Sequence, residues 1–316
     1  MQKLQKCDTM TVEKAEKGSV MRTERANAKI NTYLDVASRR ENGYHNIVSI
    51  MQTVSLCDLV SVDFRPAEHT SIRLEASGND GMPTDCRNLA WRAAERFLQR
   101  TERRGEVHII IEKHIPMAAG LAGGSADAAA VLRALNALCG TPLTQDELCS
   151  LGATLGADVP FCIVGGTALV TGIGECMENF PAMPQGILLV ACRGEGVSTP
   201  WAYGELDQRY NGFTEPKKTD NRPTCIENAW KNGDLTGSCT HFFNVFEEVV
   251  PTVQKDVNAL KAIMTESGAT RAMMSGSGPS VFGVFADIGA ADIACTRLRE
   301  SGAAAYICHP CGKYKL

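Results

Sequence analysis

Residues 116–130 read PMAAGLAGGSADAAA. Gly120, Gly123, Gly124 and Ser125 stand there between two segments of opposite periodicity. Upstream, EVHIIIEKH (106–114) has the β-branched, alternating character of a strand. Downstream, Val131, Leu132, Leu135, Leu138 and Cys139 recur at i, i+1, i+4, i+7 and i+8, which predicts a helix over about 125–139 with one buried face. A strand, a glycine-rich loop and a helix start make an anion site. Glycine lets the backbone turn its N–H groups toward an oxyanion, and the unsatisfied N–H groups and positive end of the helix add attraction. The loop has neither the Walker A lysine nor a GxGxxG pattern, and Asp127 stands where a GxSxG nucleophile elbow needs its last glycine. The plainer alternative is a tight turn with Ser125 as N-cap and Asp127 in the first helical turn.

Outward from this loop the chain reads as mixed α and β. AKINTYLDV (28–36), NIVSIMQTV (46–54), LVSVDF (59–64) and SIRLEA (71–76) are strand-like, with the polar turn SRRENGYH breaking the first pair. NLAWRAAERFLQRTERR (88–104) is helical in spacing, and a further helix falls at 145–155. The apolar run VPFCIVGGTALVTGIGE follows, closing a first domain near Glu175. The remainder alternates strand GILLVAC, helices, strands RAMMSG and SVFGVFA, helix AADIACTRLRES and strand AAYICH, the order of an α+β sandwich. The polar stretch 206–224, with Pro and Gly, reads as a surface loop. The expected organisation is a disordered extension or misassigned start over 1–21, a first domain over 22–175 and a second over 176–316.

Composition excludes several classes. A chain of 316 residues with 44% hydrophobic and 22% charged residues is globular, and two domains fit its length. A net charge of -4 and a pI near 5.9 leave no basic stripe for nucleic acid. The 13 cysteines are irregularly spaced and odd in number, as in reduced cytosolic proteins, and the C-terminal Cys308-His309-Pro310-Cys311 lacks the second pair of a zinc site. No run approaches a membrane span, and the charged first 21 residues lack the apolar centre of a signal peptide. A cytoplasmic protein with no membrane partner is expected.

Three further segments carry chemistry only in combination. ANAKIN (26–31) sets Lys29 between apolar residues on a strand, TLGADVP (154–160) presents Asp158 beyond a helix end, and MSGSGPSVFG (274–283) is a second glycine-rich turn between strands. Alone, these are a solvated lysine, a turn aspartate and a hairpin. Together, and in this order with the central loop, they resemble the three motifs of the GHMP kinase superfamily. AKIN, RRENGYHNI (39–47) and LGADVPF (155–161) are similar to its diphosphocytidyl methylerythritol kinase branch, the RRxxGYH pattern being the strongest discriminator. The likeness spans residue 22 to the C-terminus. It departs at Asn27, where that branch commonly has Pro, and at Ala118, Ala119 and Ala122, where Gly is frequent. Alanine is tolerated where φ stays negative.

The resemblance implies a two-domain α+β fold, the first domain ribosomal-protein-S5-domain-2-like and the second a ferredoxin-like α/β sandwich. It implies an ATP-dependent kinase whose small-molecule substrate is a cytidine diphosphate conjugate of methylerythritol. Asp158 would be the general base on a tertiary hydroxyl, with Lys29 orienting it and offsetting charge on the phosphoryl group. Pro116, Met117, Ala118, Ala119, Gly120, Leu121, Ala122, Gly123, Gly124 and Ser125 would hold the ATP phosphates, Ser125 also lying near an ATP-borne Mg2+. Asn88 and Lys113 would sit by the adenosine. Tyr44 and Tyr203 would stack on cytosine, His45 would read its edge, and Asn31, Thr199, Gly276, Ser277 and Gly278 would complete the substrate site. A monomer or homodimer fits. Three competing readings remain open: a kinase of another alcohol, against which RRENGYH argues; a non-catalytic nucleotide or sugar sensor; and a nucleotide-cofactor oxidoreductase, which lacks its GxGxxG.

Overall fold

The computed structural model describes residues 11–14 (backbone only), 20–78, 81–213 and 220–315. Its frame is a hairpin of two long strands, β2 (Val20–Arg39) and β3 (His45–Pro66), preceded by β1 (Thr11–Lys14). β2 and β3 pair antiparallel from Met21↔Asp63 to Arg39↔His45. The tip closes because Gly43 adopts φ 85° and Arg40 N–H donates to Tyr44 O. The segments read as separate short strands are therefore continuous, and the register shifts at Asn27/Lys29, Asn31/Tyr33 and Val36/Ser38 absorb the twist of so long a pair.

β4 (Ser71–Ser77), β5 (Gly105–Glu112), β6 (Thr167–Gly172) and β7 (Cys176–Asn179) extend this sheet, and the short β9 (Phe243–Asn244) joins it parallel to β2 at Tyr33 and Leu34. Its main path is β1-β2-β3-β5-β4, with β6 on β3 and β7 on β6. Two sequence boundaries shift. The first sheet runs past Glu175, because β6 and β7 are one hairpin. Part of the supposed extension, Thr11–Lys14, pairs with Val20–Thr23 at the edge β2 would otherwise leave open. Residues 1–10 and 15–19 of that extension lie outside the described residues.

Helices α1 (Leu89–Arg100), α2 (Gly123–Leu138), α3 (Gln145–Ala153) and α4 (Val159–Val164) cover one face of the sheet. Asn88 caps α1, and a Thr144/Glu147 capping box starts α3. α2 differs from its expected single buried face: every residue from Ala126 to Asn136 is buried. Its alanines let α1, α4 and the sheet close on all sides, so the helix behind the glycine loop is the axis of the first unit.

The second sheet comprises β8 (Ile187–Cys192), β10 (Arg271–Met274), β11 (Val281–Phe285) and β12 (Ala304–Cys308), all antiparallel in the order β10-β11-β8-β12. Counted within the unit this is 4-1-3-2 read from β12, the ferredoxin-like order expected. α5 (Thr199–Arg209), α6 (Arg222–Lys231), α7 (Leu235–Ser238), β9 (Phe243–Asn244), α8 (Val250–Val253) and α9 (Lys255–Glu266) lie between β8 and β10, and α10 (Ile288–Glu300) between β11 and β12. The supposed loop 206–224 is thus helical at both ends, since Leu206 is the buried apolar face of α5 and Pro223 sits in the first turn of α6, where its missing N–H costs nothing. Residues 214–219 lie outside the described residues.

The units join through an apolar cluster in which Ala28, Ile30 and Ile50 of the first sheet meet Leu188, Val190 and Phe282 of the second. Strand alternation then leaves Lys29 and Asn31 for the other face of β2. After β12 the chain returns to the first unit, Pro310 bridging to Val54 and Lys313 to Gly165. Cys308 is a free thiol buried in the joint, whereas Cys311 is turned toward Asn27, so the CxxC is not a closed pair. No helix among the described residues is long and apolar enough to cross a membrane.

Candidate active site

The glycine loop ends on Ala122, the N-cap of α2, at φ 57° and ψ 30° with no side-chain cap. Ser125 is accordingly not the cap but the third helical residue. The first intrahelical bond runs from Ala126 N–H to Ala122 O, which leaves the N–H groups of Gly123, Gly124 and Ser125 without helical acceptors at the positive end of a 16-residue helix. The expectation that alanine replaces glycine here at negative φ is overturned at two positions: Ala118 has φ 50° and Ala122 φ 57°, since the chain must bend back twice within five residues. Ala119 keeps a negative φ.

The second glycine turn braces the first. Gly120 has φ 76°, and a Cβ there would overlap Ser275 O and lie 3.1 Å from Gly278 N; a Cβ on Gly276 would stand 2.9 Å from Gly120 O. Only glycine permits this backbone-on-backbone approach. Ser280 N–H donates to Ala119 O (3.2 Å), and Ser275 Oγ donates to Gly120 O (3.2 Å) while accepting from Asn31 N–H (3.3 Å). Asn244 Nδ2 ties down Met274 O and Gly276 O, both at 2.8 Å. The turn is more than a hairpin.

Lys29 sits at a register shift of β2, its backbone N–H leaving the ladder for Leu121 O of the glycine loop (3.1 Å). Its buried Nζ donates to Asn31 Oδ1 (2.8 Å) and lies 3.7 Å from Asp158 Oδ2. Asn31 is held in turn: Nδ2 donates to Ser49 Oγ (2.8 Å), which donates to Tyr33 O. Asp158 is the N-cap residue of α4, makes no capping bond with its side chain, and keeps about a third of it (31%) exposed. A fixed ammonium thus faces a carboxylate that solvent and a substrate can reach.

The two residues expected beside adenosine, Lys113 and Asn88, have protein partners. Lys113 Nζ donates to Asp58 Oδ2 (2.5 Å) and Asp127 Oδ2 (2.9 Å), all three buried. Burial works against the Lys113 ammonium, but the two carboxylates outweigh it and hold its pKa above the ordinary lysine value. Burial, with the Asp58 charge adding to it against Lys113, raises Asp127 to about 7, and Asp127 Oδ1 has no hydrogen-bond partner. A Cβ on Gly123 would lie 3.2 Å from Lys113 Nζ, so this ion cluster is the floor of the loop. Asn88 Oδ1 accepts from Ala90 N–H and its Nδ2 donates to Pro83 O, which occupies the side chain as a helix cap.

On the other flank Tyr44 projects from the β2–β3 tip, 60% exposed, while His45 is buried with Nε2 2.7 Å from Asp207 Oδ1. Tyr203 packs on the His45 ring (4.6 Å, 17°) and meets Phe246 edge-on, so one of its faces is taken and it backs His45 rather than standing free. Burial, then the Asp158 charge, raises the Tyr203 hydroxyl to about 12, which marks α5 as a neighbour of the Lys29–Asp158 pair. Thr199, first residue of α5, shares a 2.9 Å hydroxyl hydrogen bond with Ser277. A separate cavity of about 490 Å3, lined by Ile72, Trp91, Leu98 and Arg103 among others, includes none of these residues. No group of three or more His, Cys, Asp or Glu suited to a metal occurs among the described residues.

A solvent-reachable carboxylate beside a buried lysine, whose strand is bonded to the loop leading into an uncapped helix start, suits a phosphotransferase, and family models agree. The model described as GHMP kinases N terminal domain matches residues 88–166, and GHMP kinases C terminal matches 228–304; the chain is an ATP-dependent kinase of that class. It is 43% identical to the 4-diphosphocytidyl-2-C-methyl-D-erythritol kinase of Caldicellulosiruptor saccharolyticus over 83% of this chain and 88% of that one. With the Bacillus cytotoxicus kinase of the same name it shares 42% identity over 82% and 86%. A solved 4-(cytidine 5'-diphospho)-2C-methyl-D-erythritol kinase superposes with TM-score 0.75 at 32% identity, covering 92% of this chain and 99% of that one. Homoserine kinase from Cytophaga hutchinsonii, at 16% identity and TM-score 0.70 over 96% and 98%, shares the fold. The chain belongs to the 4-diphosphocytidyl-2-C-methyl-D-erythritol kinase family.

Sequence reasoning missed Asp58, Ser275, Asn244 and Asp207. Asp58 stands in the apolar run SLCDLV, and a charge inside a strand pattern is a usable signal for a buried pair. Nothing in the sequence joins Asp207 to His45 or Asn244 to the turn at 274–276, because those contacts cross 162 and 30–32 residues.

Proposed function

We propose that the protein transfers the γ-phosphoryl group of ATP to the 2-hydroxyl of 4-diphosphocytidyl-2-C-methyl-D-erythritol, a step of the non-mevalonate route to isoprenoid precursors. The observation that carries the chemistry is the 3.7 Å Lys29–Asp158 pair beside the uncapped start of α2. The hydroxyl oxygen attacks phosphorus in line, its proton passes to Asp158, the bond to the ADP oxygen breaks, and ADP leaves. Lys29, oriented by Asn31, and the N–H groups of Gly123, Gly124 and Ser125 balance charge spread over the phosphoryl oxygens. Mg2+ would be carried on the ATP phosphates and offset their charge, with Ser125 Oγ, in the first turn of α2, the side chain that would hold it.

For the cytidine, Tyr44 offers an exposed face. His45 Nε2 is engaged by Asp207 Oδ1 at 2.7 Å, which fixes the ring and leaves Nδ1 as the nitrogen that can meet the edge of cytosine. Lys113 and Asn88 support the nucleotide site from beneath instead of touching adenosine. In this reading residues 22–179 carry the phosphate loop and catalytic pair, and the second unit carries Thr199, Gly276, Ser277 and Gly278 to the substrate. The enzyme acts in the cytoplasm as a monomer or homodimer.

The test is ATP consumption with magnesium, comparing the cytidyl alcohol with mevalonate, homoserine and galactose, with Asp158→Asn as control. Turnover of the cytidyl alcohol alone, lost in Asp158→Asn with ATP binding retained, is the expected result. Turnover of another alcohol sinks the substrate assignment, and retained activity in Asp158→Asn sinks the base.

A further inference from the structure

We infer that Tyr314 and Arg133 are positioning residues for phosphoryl transfer: the returning C-terminal segment locks together the three elements that carry the glycine loop, Lys29 and Asp158. The inference rests on the roles proposed above for Lys29 and Asp158.

Arg133 lies on α2, ten residues beyond the start of the helix that ends the glycine loop, and its side chain is 3% exposed. It reaches each of the other two elements. Nη2 donates to Arg25 O (2.9 Å) and Nε to Glu24 Oε2 (3.3 Å), both on the strand that leads to Lys29. Nη1 donates to Cys162 O (2.7 Å) in α4, the helix that Asp158 begins. A buried guanidinium with its planar fork spent on three partners fixes direction as well as distance. α2, β2 and α4 are therefore joined at one group.

Tyr314 covers that group. Its ring stacks over the Arg133 guanidinium at 3.8 Å. Its hydroxyl donates to Asn27 Oδ1 (2.9 Å) or Arg25 O (3.2 Å) and accepts from Asn27 N–H (3.2 Å), two residues before Lys29. Its own N–H donates to Val164 O (2.9 Å), the last residue of α4, and a Cβ on Gly165 would lie 2.8 Å from its ring. One tyrosine thus touches both ends of the 3.7 Å pair through the elements that carry them. The segment before it is laced to β3, with Ser55 N–H donating to His309 O and Cys311 N–H to Thr53 O. Asn27 is the matching device on β2: its N–H is turned out of the ladder to Tyr314, and its Nδ2 donates to Val54 O (2.8 Å). A proline there, common in the branch this chain resembles, has no N–H to give.

Neither residue contacts the reacting atoms, so the loss is in alignment. A misplacement of about 1 Å is enough to cost up to about 100-fold in rate. Steady-state kinetics of Tyr314→Ala, Tyr314→Phe and Asp158→Asn, corrected for the folded fraction, test this. In Tyr314→Ala kcat is expected to fall about tenfold or more while both KM values stay within about twofold. Tyr314→Phe, which keeps the ring over Arg133, should lose less. If Tyr314→Ala does not fold, the pair Tyr314→Phe and Asn27→Ala replaces it: both delete one shared contact, so the double variant should be no slower than the worse single. Unchanged kcat in folded Tyr314→Ala, a change confined to KM, or fully additive losses in the pair overturn the inference. An active Asp158→Asn overturns the underlying assignment instead, whatever the Tyr314 variants do.

Discussion

Ala118→Gly should stabilise the protein, a result that composition-based intuition would not suggest. The alanine sits at φ 50°, where the Cβ of an L-residue crowds the following carbonyl at a cost of about 1–2 kcal/mol. Glycine removes that cost but restores freedom to the unfolded chain, which works against folding by about 0.4–1 kcal/mol. Ala118 is exposed, so its methyl forfeits little burial. The strain term wins by roughly 0.5–1 kcal/mol, or about 1–4 °C in melting temperature at the roughly 2–4 °C per kcal/mol typical of larger domains. Ala122→Gly supplies the contrast. Its φ of 57° carries the same strain, but its methyl packs against the first-unit core, and losing part of about 0.8 kcal/mol of burial brings the sum near zero. Urea titration followed by circular dichroism, with m unchanged, distinguishes the two. A destabilised Ala118→Gly would refute the assignment of strain to this loop, and an equal gain at both sites would refute the packing term.

Lys113→Met should cost about 3–5 kcal/mol, because it strands the Asp58 and Asp127 carboxylates in a buried site. The loss should shrink at pH 5 relative to pH 8, as protonation relieves the stranded charge, and equal losses at both would exclude the ion cluster as its cause. Asp127 itself titrates with the sign opposite to a salt-bridged surface carboxylate. With its folded pKa raised to about 7 from about 3.9 unfolded, the folded state binds more protons between those values, so this group's contribution to stability falls as pH rises through that window. Stability measured from pH 4 to 8 in wild type and Asp127→Asn should show the variant lacking that fall; parallel profiles would contradict it.

Much of the fold is written locally. The period-2 burial of β5, the short continuous apolar runs of β8 and β11, the 3.6-residue spacing around Val131 and Leu135, and the cap residues Asn88 and Thr144 each state their element without reference to the rest. The glycine loop is legible for the same reason, since glycines ahead of an apolar helix have few other uses. The misses concern environment. Lys113 is indistinguishable in sequence from a solvated strand lysine, and only the convergence of β3, β5 and α2 makes it a buried ion partner. Tyr203 reads equally well as a stacking face or a helix-face residue until β3 brings His45 against it.

By itself the sequence determined the order of elements, the location of the anion loop and the family, because propensity, periodicity and motif spacing are properties of neighbouring residues. Tertiary structure alone decided that Lys29 meets Asp158 across 129 residues of chain, that Ala118 and Ala122 carry positive φ, and that Tyr314 clasps Arg133 from the far end. Those are facts of chain closure, set when hydrophobic burial brings distant segments together and the polar groups carried along must find partners or pay for desolvation.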